Sequence, residues 1–362
     1  MPAAIENTHS TNVRITGLDA VRFVAALFVV FSHCGYPPLT QGLDRSNAVA
    51  LTIQGIYGNI FPGVAAVIVF FVISGFCIHY PHRHLQRLDA RPYFARRYVR
   101  IFLPMIAAVL LAWPLNVNLA LFQNSVLWSL LAELIYYTLY PLLHWLRGRL
   151  GWLRIIALSY AVSYLTVLSH PDALDYTPFG PSMAWLVALP CWLLGCMLAE
   201  ADFHTVKADH RLLWCYRGAV WMLGWTCSVL RFHSPLGYPW TLSLFAVAVF
   251  FWLRMEIASS LLHSRHLGRF GNLLEKAGAW SYSLYLIHMV ANTAFDALPL
   301  PDFGFNLNWT IRVSFILASA WLLYLLVEHP SHRLARHLAK KLSSGRKSDD
   351  NSACTKISET NQ

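Results

Sequence analysis

The chain has 362 residues, of which 56% are hydrophobic and only 13% charged, with a formal net charge of +10. Soluble domains carry about a quarter charged residues, so the composition excludes an ordinary soluble protein and implies an all-α polytopic membrane protein. The basic residues fall between apolar runs, where they act as topology signals, and nucleic acid is not an expected partner.

A membrane span needs about 20 apolar residues. On that criterion about ten segments qualify: Leu18–Tyr36, Ile60–Tyr80, Ile101–Phe122, Ser125–Trp145, Ile155–Ser169, Met183–Ala201, Leu212–Leu230, Trp240–Met255, Ala277–Leu298 and Trp309–Val327. The third and fourth nearly touch at Gln123–Asn124, which predicts a tight hairpin. The polar start and long first run favour a retained helix over a cleaved signal peptide. Arginines crowd the loop after the second span (Arg83, Arg87, Arg91, Arg96, Arg97, Arg100) and the later even-numbered loops, whereas the opposite side holds Arg45, Arg231 and Arg312. This asymmetry predicts that both termini are cytoplasmic. Residues 1–342 read as one membrane domain, and 343–362 as a polar, disordered cytoplasmic tail. The Pro- and aromatic-rich loops HPDALDYTPFGPS and LPLPDFGFNLN predict ordered caps at the outer side. The seven cysteines lack CxxC or zinc-like spacing, so they read as buried apolar side chains and no metal site is expected.

In chain order, the first candidate site residues are Asp19, Arg22 and His33. Ionisable side chains are expensive in hydrocarbon and mark function. Arg22 and His33 are eleven positions apart. That is close to three whole turns, so both face one side, about 16 Å apart along the axis. Arg22 would sit towards the cytoplasmic end and His33 towards the outer end; snorkelling by Arg22 and an interfacial hydrogen bond for His33 are the structural alternatives. Ser74-Gly75 in VIVFFVISGFCIHY reads as a site of close helix approach. Arg97 and Arg100, at i and i+3 where the third span begins, could trap a phosphate or merely report the positive-inside bias. Glu133 lies mid-span with Tyr136, Tyr137 and Tyr140 on nearby turns; a proton acceptor and an ion-pair partner for a buried arginine remain equal readings. His288 in SYSLYLIHMV is a second intramembrane imidazole, and Glu328 in VEHPSHRL stands ready for a cytoplasmic-side arginine.

Taken in this order, LDAVRFVAALFVVFSH, FFVISGF, RRYVR, WSLLAELIYY, SYSLYLIH and VEHP resemble the acyltransferase type 3 family of bacterial integral-membrane acyltransferases, from about Gly17 to Arg333. Around Ala132-Glu133-Leu134 the chain departs from the family, which more often has a second acidic or polar residue there. The resemblance implies a multi-pass inner-membrane enzyme that moves an acyl group, usually acetyl, from cytoplasmic acyl-CoA to a hydroxyl of an exported glycan or lipid-linked sugar. Acyl-CoA would be a co-substrate, with no tightly bound cofactor. The partners would be the donor, the saccharide acceptor, the lipid bilayer and glycan-assembly proteins. Under this resemblance Arg97 and Arg100 hold the CoA phosphates and Arg22 lines the passage. His33 serves as general base or transient acyl acceptor, and Glu133 supports the chemistry. Asp19, His288 and Glu328 are secondary candidates. A transporter of a sugar or acyl-carrying solute is the alternative, but no internal repeat supports it.

Overall fold

The computed structural model describes residues 15–43, 46–119, 127–206, 209–262 and 268–343. Among these residues the regular elements are all helices: α1 (Leu18–Cys34), α2 (Ala48–Gly58), α3 (Gly63–His79), α4 (Ala90–Ala112), α5 (Trp128–Leu150), α6 (Trp152–Leu168), α7 (Gly180–Leu198), α8 (His210–His233), α9 (Tyr238–Leu262), α10 (Arg269–Ala277), α11 (Ser281–Asp296) and α12 (Phe305–Leu323). Each of the ten predicted segments overlaps a helix, and α2 and α10 are additional. Five helical stretches are long and apolar enough to cross a membrane unaided, or six if α5 and α6, which meet at a 120° turn, form one broken span. The others are shorter or more polar: α1 has 17 residues and α11 has 16, while α8 carries Arg211, Arg217 and Arg231.

The largest departure from expectation is the third segment. Its helix begins at Ala90, not at Ile101, and ends at Ala112. Hydropathy marks where a chain becomes apolar, but arginines are good helix formers and do not delay helix initiation. Arg97 and Arg100 therefore lie within the helix rather than at its N-terminus, and only their guanidiniums are available to hold an anion. The hairpin expected at Gln123–Asn124 and the tail after Ser343 lie outside the described residues.

The bundle centres on α3, which packs against α1, α7, α8 and α9. Its closest partner is α7, and the reason is a pair of glycines. A Cβ on Gly75 would stand 2.0 Å from the carbonyl oxygen of Trp192, and one on Gly195 would stand 2.0 Å from that of Val72. The two backbones thus touch face to face. Within a bilayer, where lipid is as apolar as leucine, such close van der Waals packing drives helix association.

At the start of α1 the main-chain N–H groups of Gly17 and Ala20 both donate to Glu275 Oε2, each at 3.0 Å. A carboxylate from α10 thereby caps a helix whose own N-cap residue, Gly17, supplies no side-chain acceptor. Gly278, directly after α10, lies so close that a Cβ would stand 2.1 Å from the Asp19 carbonyl oxygen. At the other end of the bundle the loop before α7 is packed, with the Tyr176 ring stacked on Trp128 at 4.5 Å and Phe179 buried. Beyond α12 one π-helical turn, Tyr324–Glu328, leads into a further helical segment, 329–343.

Replacing Gly75 or Gly195 by Ala should destabilise the bundle by roughly 1–3 kcal/mol, the usual cost of overpacking. Gly148→Ala, where nothing lies within 4 Å of the added Cβ, should not. Thermal unfolding of the purified protein followed by size-exclusion fluorescence would separate the two outcomes.

Candidate active site

A cavity of about 160 Å³ lies between α1, α3, α4, α5 and α11, and its walls include Arg22, Arg97, Arg100 and Glu133. Four ionisable residues from three separate sequence motifs thus converge on one space. Arg22 reaches Asp19 at 3.6 Å, one turn earlier on α1, while the buried Nε of Arg97 has no hydrogen-bond partner among the described residues. Three guanidiniums in one partly buried cavity repel one another unless an anion joins them. Drug-sized pockets measure roughly 300–1,000 Å³, so this cavity is too small for a bulky ligand.

Glu133 accepts hydrogen bonds from Ser74 Oγ at 2.5 Å and from the Tyr137 hydroxyl. Ser74 and Tyr137 also lie within hydrogen-bond distance of each other at 3.0 Å, and Trp192 Nε1 donates to Ser74 Oγ at 3.3 Å. The carboxylate is held by hydroxyls; among the described residues neither an arginine nor an imidazole contacts it. Ser74 therefore does more than permit close packing. Its neighbour Gly75 makes the helix contact, and Ser74 turns its hydroxyl towards the cavity. The sequence signal for Ser74 is slight, a single small polar residue in an apolar run.

Away from the arginines the cavity wall includes Ser129 and Tyr285, whose hydroxyl oxygens are 2.6 Å apart. The main-chain carbonyl of Tyr285 then faces His288 Nδ1 at 2.6 Å. His288 is fully buried, and its Nε2 lies 3.0 Å from His33 Nδ1. The tautomers follow from this chain of contacts. A carbonyl can only accept, so His288 Nδ1 carries a proton. In the neutral ring His288 Nε2 is then the acceptor, and His33 Nδ1 must donate to it. That leaves the lone pair of neutral His33 on Nε2, and His33 is exposed.

The predicted residues therefore form two groups. Arg22, Arg97, Arg100 and Glu133 share the cavity; His33 and His288 form a pair outside it. Tyr285 joins the groups, lending its side chain to one and its carbonyl to the other. Glu328 is 1% exposed and accepts from both the N–H and the Oγ of Ser283 at the start of α11, with His332 at 3.5 Å. It caps a helix; among the described residues no arginine lies within ion-pair distance of it, although Arg22 and Arg100 are near enough for their charges to act on it. A further cluster escaped the sequence reading: the buried His79, on α3, lies 2.6 Å from Glu200, which also pairs with Arg147. Its members come from α3, α5 and the turn after α7, and no local motif unites them.

Comparison with known proteins identifies the family. The chain belongs to the acyltransferase domain family, which it matches over residues 15–328. It is 26% identical to nodulation protein 10 of Rhizobium leguminosarum bv. viciae, an alignment covering 93% of this chain and 98% of that protein. It is 23% identical to acyltransferase MdmB of Streptomyces mycarofaciens, covering 89% and 92% of the two chains. No solved structure matches.

Glu133→Leu should destabilise the protein by roughly 1–3 kcal/mol by leaving the hydroxyls of the buried Tyr137 and the partly buried Ser74 without this acceptor. Glu133→Gln, which retains an acceptor oxygen, should cost less. Thermal unfolding midpoints of the two variants in the same detergent check the order.

Proposed function

We propose that this acyltransferase is a multi-pass membrane O-acyltransferase, using cytoplasmic acyl-CoA, with acetyl the expected acyl group, and acylating a hydroxyl of an exported glycan or lipid-linked sugar. The observation that carries the reading is one continuous arrangement: a guanidinium-lined cavity, a tyrosine at its wall, and behind that tyrosine an imidazole pair with one free lone pair. In this reading ten helices span the inner membrane of a bacterium and both termini are cytoplasmic. Residues 1–342 form the acyltransferase domain and 343–362 a cytoplasmic tail.

Arg97 and Arg100, assisted by Arg22, bind the phosphates of the donor, because guanidiniums match phosphate oxygens in geometry and charge. The small cavity receives the acyl-bearing end of the donor, with Glu133, Ser129 and Tyr285 in its wall. Glu133, held by Ser74 and Tyr137, keeps one wall polar, so the amide groups of that end find hydrogen-bond partners. The acceptor approaches from the other side. His33 Nε2 removes the proton from the attacking hydroxyl, the oxygen bonds to the acyl carbon, and the carbon–sulfur bond breaks. The departing thiolate takes up the proton, so the histidine returns to its starting state. His288 is a positioning residue: its Nε2 holds the His33 ring with the free lone pair outward, and it shares the imidazolium charge that develops. Glycan-assembly proteins would supply the acceptor.

Two tests bear on the two groups separately. His33→Ala should abolish O-acetylation of the envelope glycan, read by NMR at matched expression, while acyl-CoA still binds the purified protein. Acetylation at the wild-type level would remove His33 from the chemistry. Arg97→Ala with Arg100→Ala should weaken acyl-CoA binding at least tenfold, about 1.4 kcal/mol, and flatten its dependence on salt. Unchanged affinity in titration calorimetry would return the pair to a topological role.

A further inference from the structure

His288, Asn292 and Asp296 recur at every fourth position on α11, so they form one stripe. At 1.5 Å per residue Asn292 lies about 6 Å, and Asp296 about 12 Å, beyond His288 along the axis. From α12, Arg312 reaches both: its Nη1 donates to Asn292 Oδ1 at 2.7 Å, and its Nη2 lies 2.6 Å from Asp296 Oδ1. The guanidinium also rests 4.9 Å from the centre of the Phe295 ring. One turn earlier on α12, Trp309 donates from Nε1 to the Gly35 carbonyl at 2.9 Å. That contact ties the cluster to the end of α1, two residues past His33.

We propose that Asn292, Asp296 and Arg312 form the subsite that receives a polyhydroxylated, saccharide-type acceptor beside His33. The proposal rests on the acyl-transfer reading and assigns the residues that would hold the acceptor at that same site. The argument is one of donors and acceptors. The arginine satisfies one oxygen of each partner and holds both side chains in place. Among the described residues Asp296 keeps Oδ2 as a free acceptor and Asn292 keeps its amide N–H groups as free donors. Asp296 is 51% exposed and Arg312 28% exposed, so both are within reach of a ligand. A sugar ring presents neighbouring hydroxyls that donate and accept at once, which matches this alternation; an alcohol with a single hydroxyl would use only one of the groups. The stripe continues from His288, so a ring held by Asn292 and Asp296 brings a further hydroxyl towards His33. The competing reading is that the ion pair only staples α11 to α12.

The test uses the full-length protein in detergent, radiolabelled acetyl-CoA as donor, and the glycan and lipid-linked saccharide extract of the source cells as acceptor. With Asp296→Asn or Asn292→Ala, the amount of extract needed for half-maximal transfer should rise about tenfold. The KM for acetyl-CoA should stay within twofold of wild type. Arg312→Lys preserves the charge and should show a smaller rise in the same direction. Unchanged dependence on the extract in the Asp296 and Asn292 variants would overturn the proposal. So would a loss in which donor and acceptor dependence worsen together and the unfolding temperature falls, because that is the signature of a staple. If the wild-type protein transfers no label to the extract, the acyl-transfer reading itself fails, and that result is distinct from either of these.

Discussion

The crossing of α3 and α7 is the contact on which the site depends. Gly75 and Gly195 each face a carbonyl oxygen of the other helix with no room for a methyl group. This contact fixes the rotation of α3 about its own axis. The residue before Gly75 is Ser74, and the fixed rotation points its hydroxyl at Glu133. Cys77, one turn further on, then lies along the same cavity. Trp192, whose carbonyl meets Gly75, uses its indole N–H to hold Ser74. One backbone contact therefore orients α3 and gives the hydroxyl a second partner.

Polar groups away from the cavity solve a different problem, the free backbone groups at helix ends. Glu275 serves the start of α1 and Glu328 the start of α11. Both are carboxylates from remote segments and both are buried. The helices so capped are the two that carry His33 and His288. Anchoring each at one end sets its height relative to the other, and the imidazole pair requires that the heights agree to within a hydrogen bond. Buried away from solvent, where no water replaces a lost partner, such caps hold more firmly than at an exposed helix end.

Much of this was legible in the sequence because a membrane chain admits few ionisable residues without reason. Arg22, Arg97, Arg100 and Glu133 stand out against apolar neighbours, and they converge on one cavity. The helical character and most of the helix positions follow from apolar runs. The partnerships do not. His33 and His288 are separated by 255 positions, and Gly17 and Glu275 by 258; nothing in either local sequence names the other. Ser74 reads as packing because its neighbour is a glycine, and the early start of α4 is hidden because hydropathy is blind to a charged helix. The role of Glu328 is a further instance: a buried carboxylate invites an arginine, but a helix terminus satisfies it as well.

The π turn at Tyr324–Glu328 has a geometric consequence of its own. Such a turn closes its hydrogen bonds one residue later than an α-helix. It therefore accommodates one extra residue, and each residue of an α-helix turns the chain by about 100°. The turn sets the angular phase between the apolar α12 and the segment 329–343. Removing a single residue there would leave the hydropathy profile almost unchanged, yet it would rotate everything beyond by roughly a quarter of a circle. Glu328 would swing away from Ser283, from whose N–H and hydroxyl it now accepts at the start of α11, while its local contacts with Ser331 and His332 would turn with it. The register of the last segment is written in one surplus residue, much as a washer sets the final angle of a threaded joint.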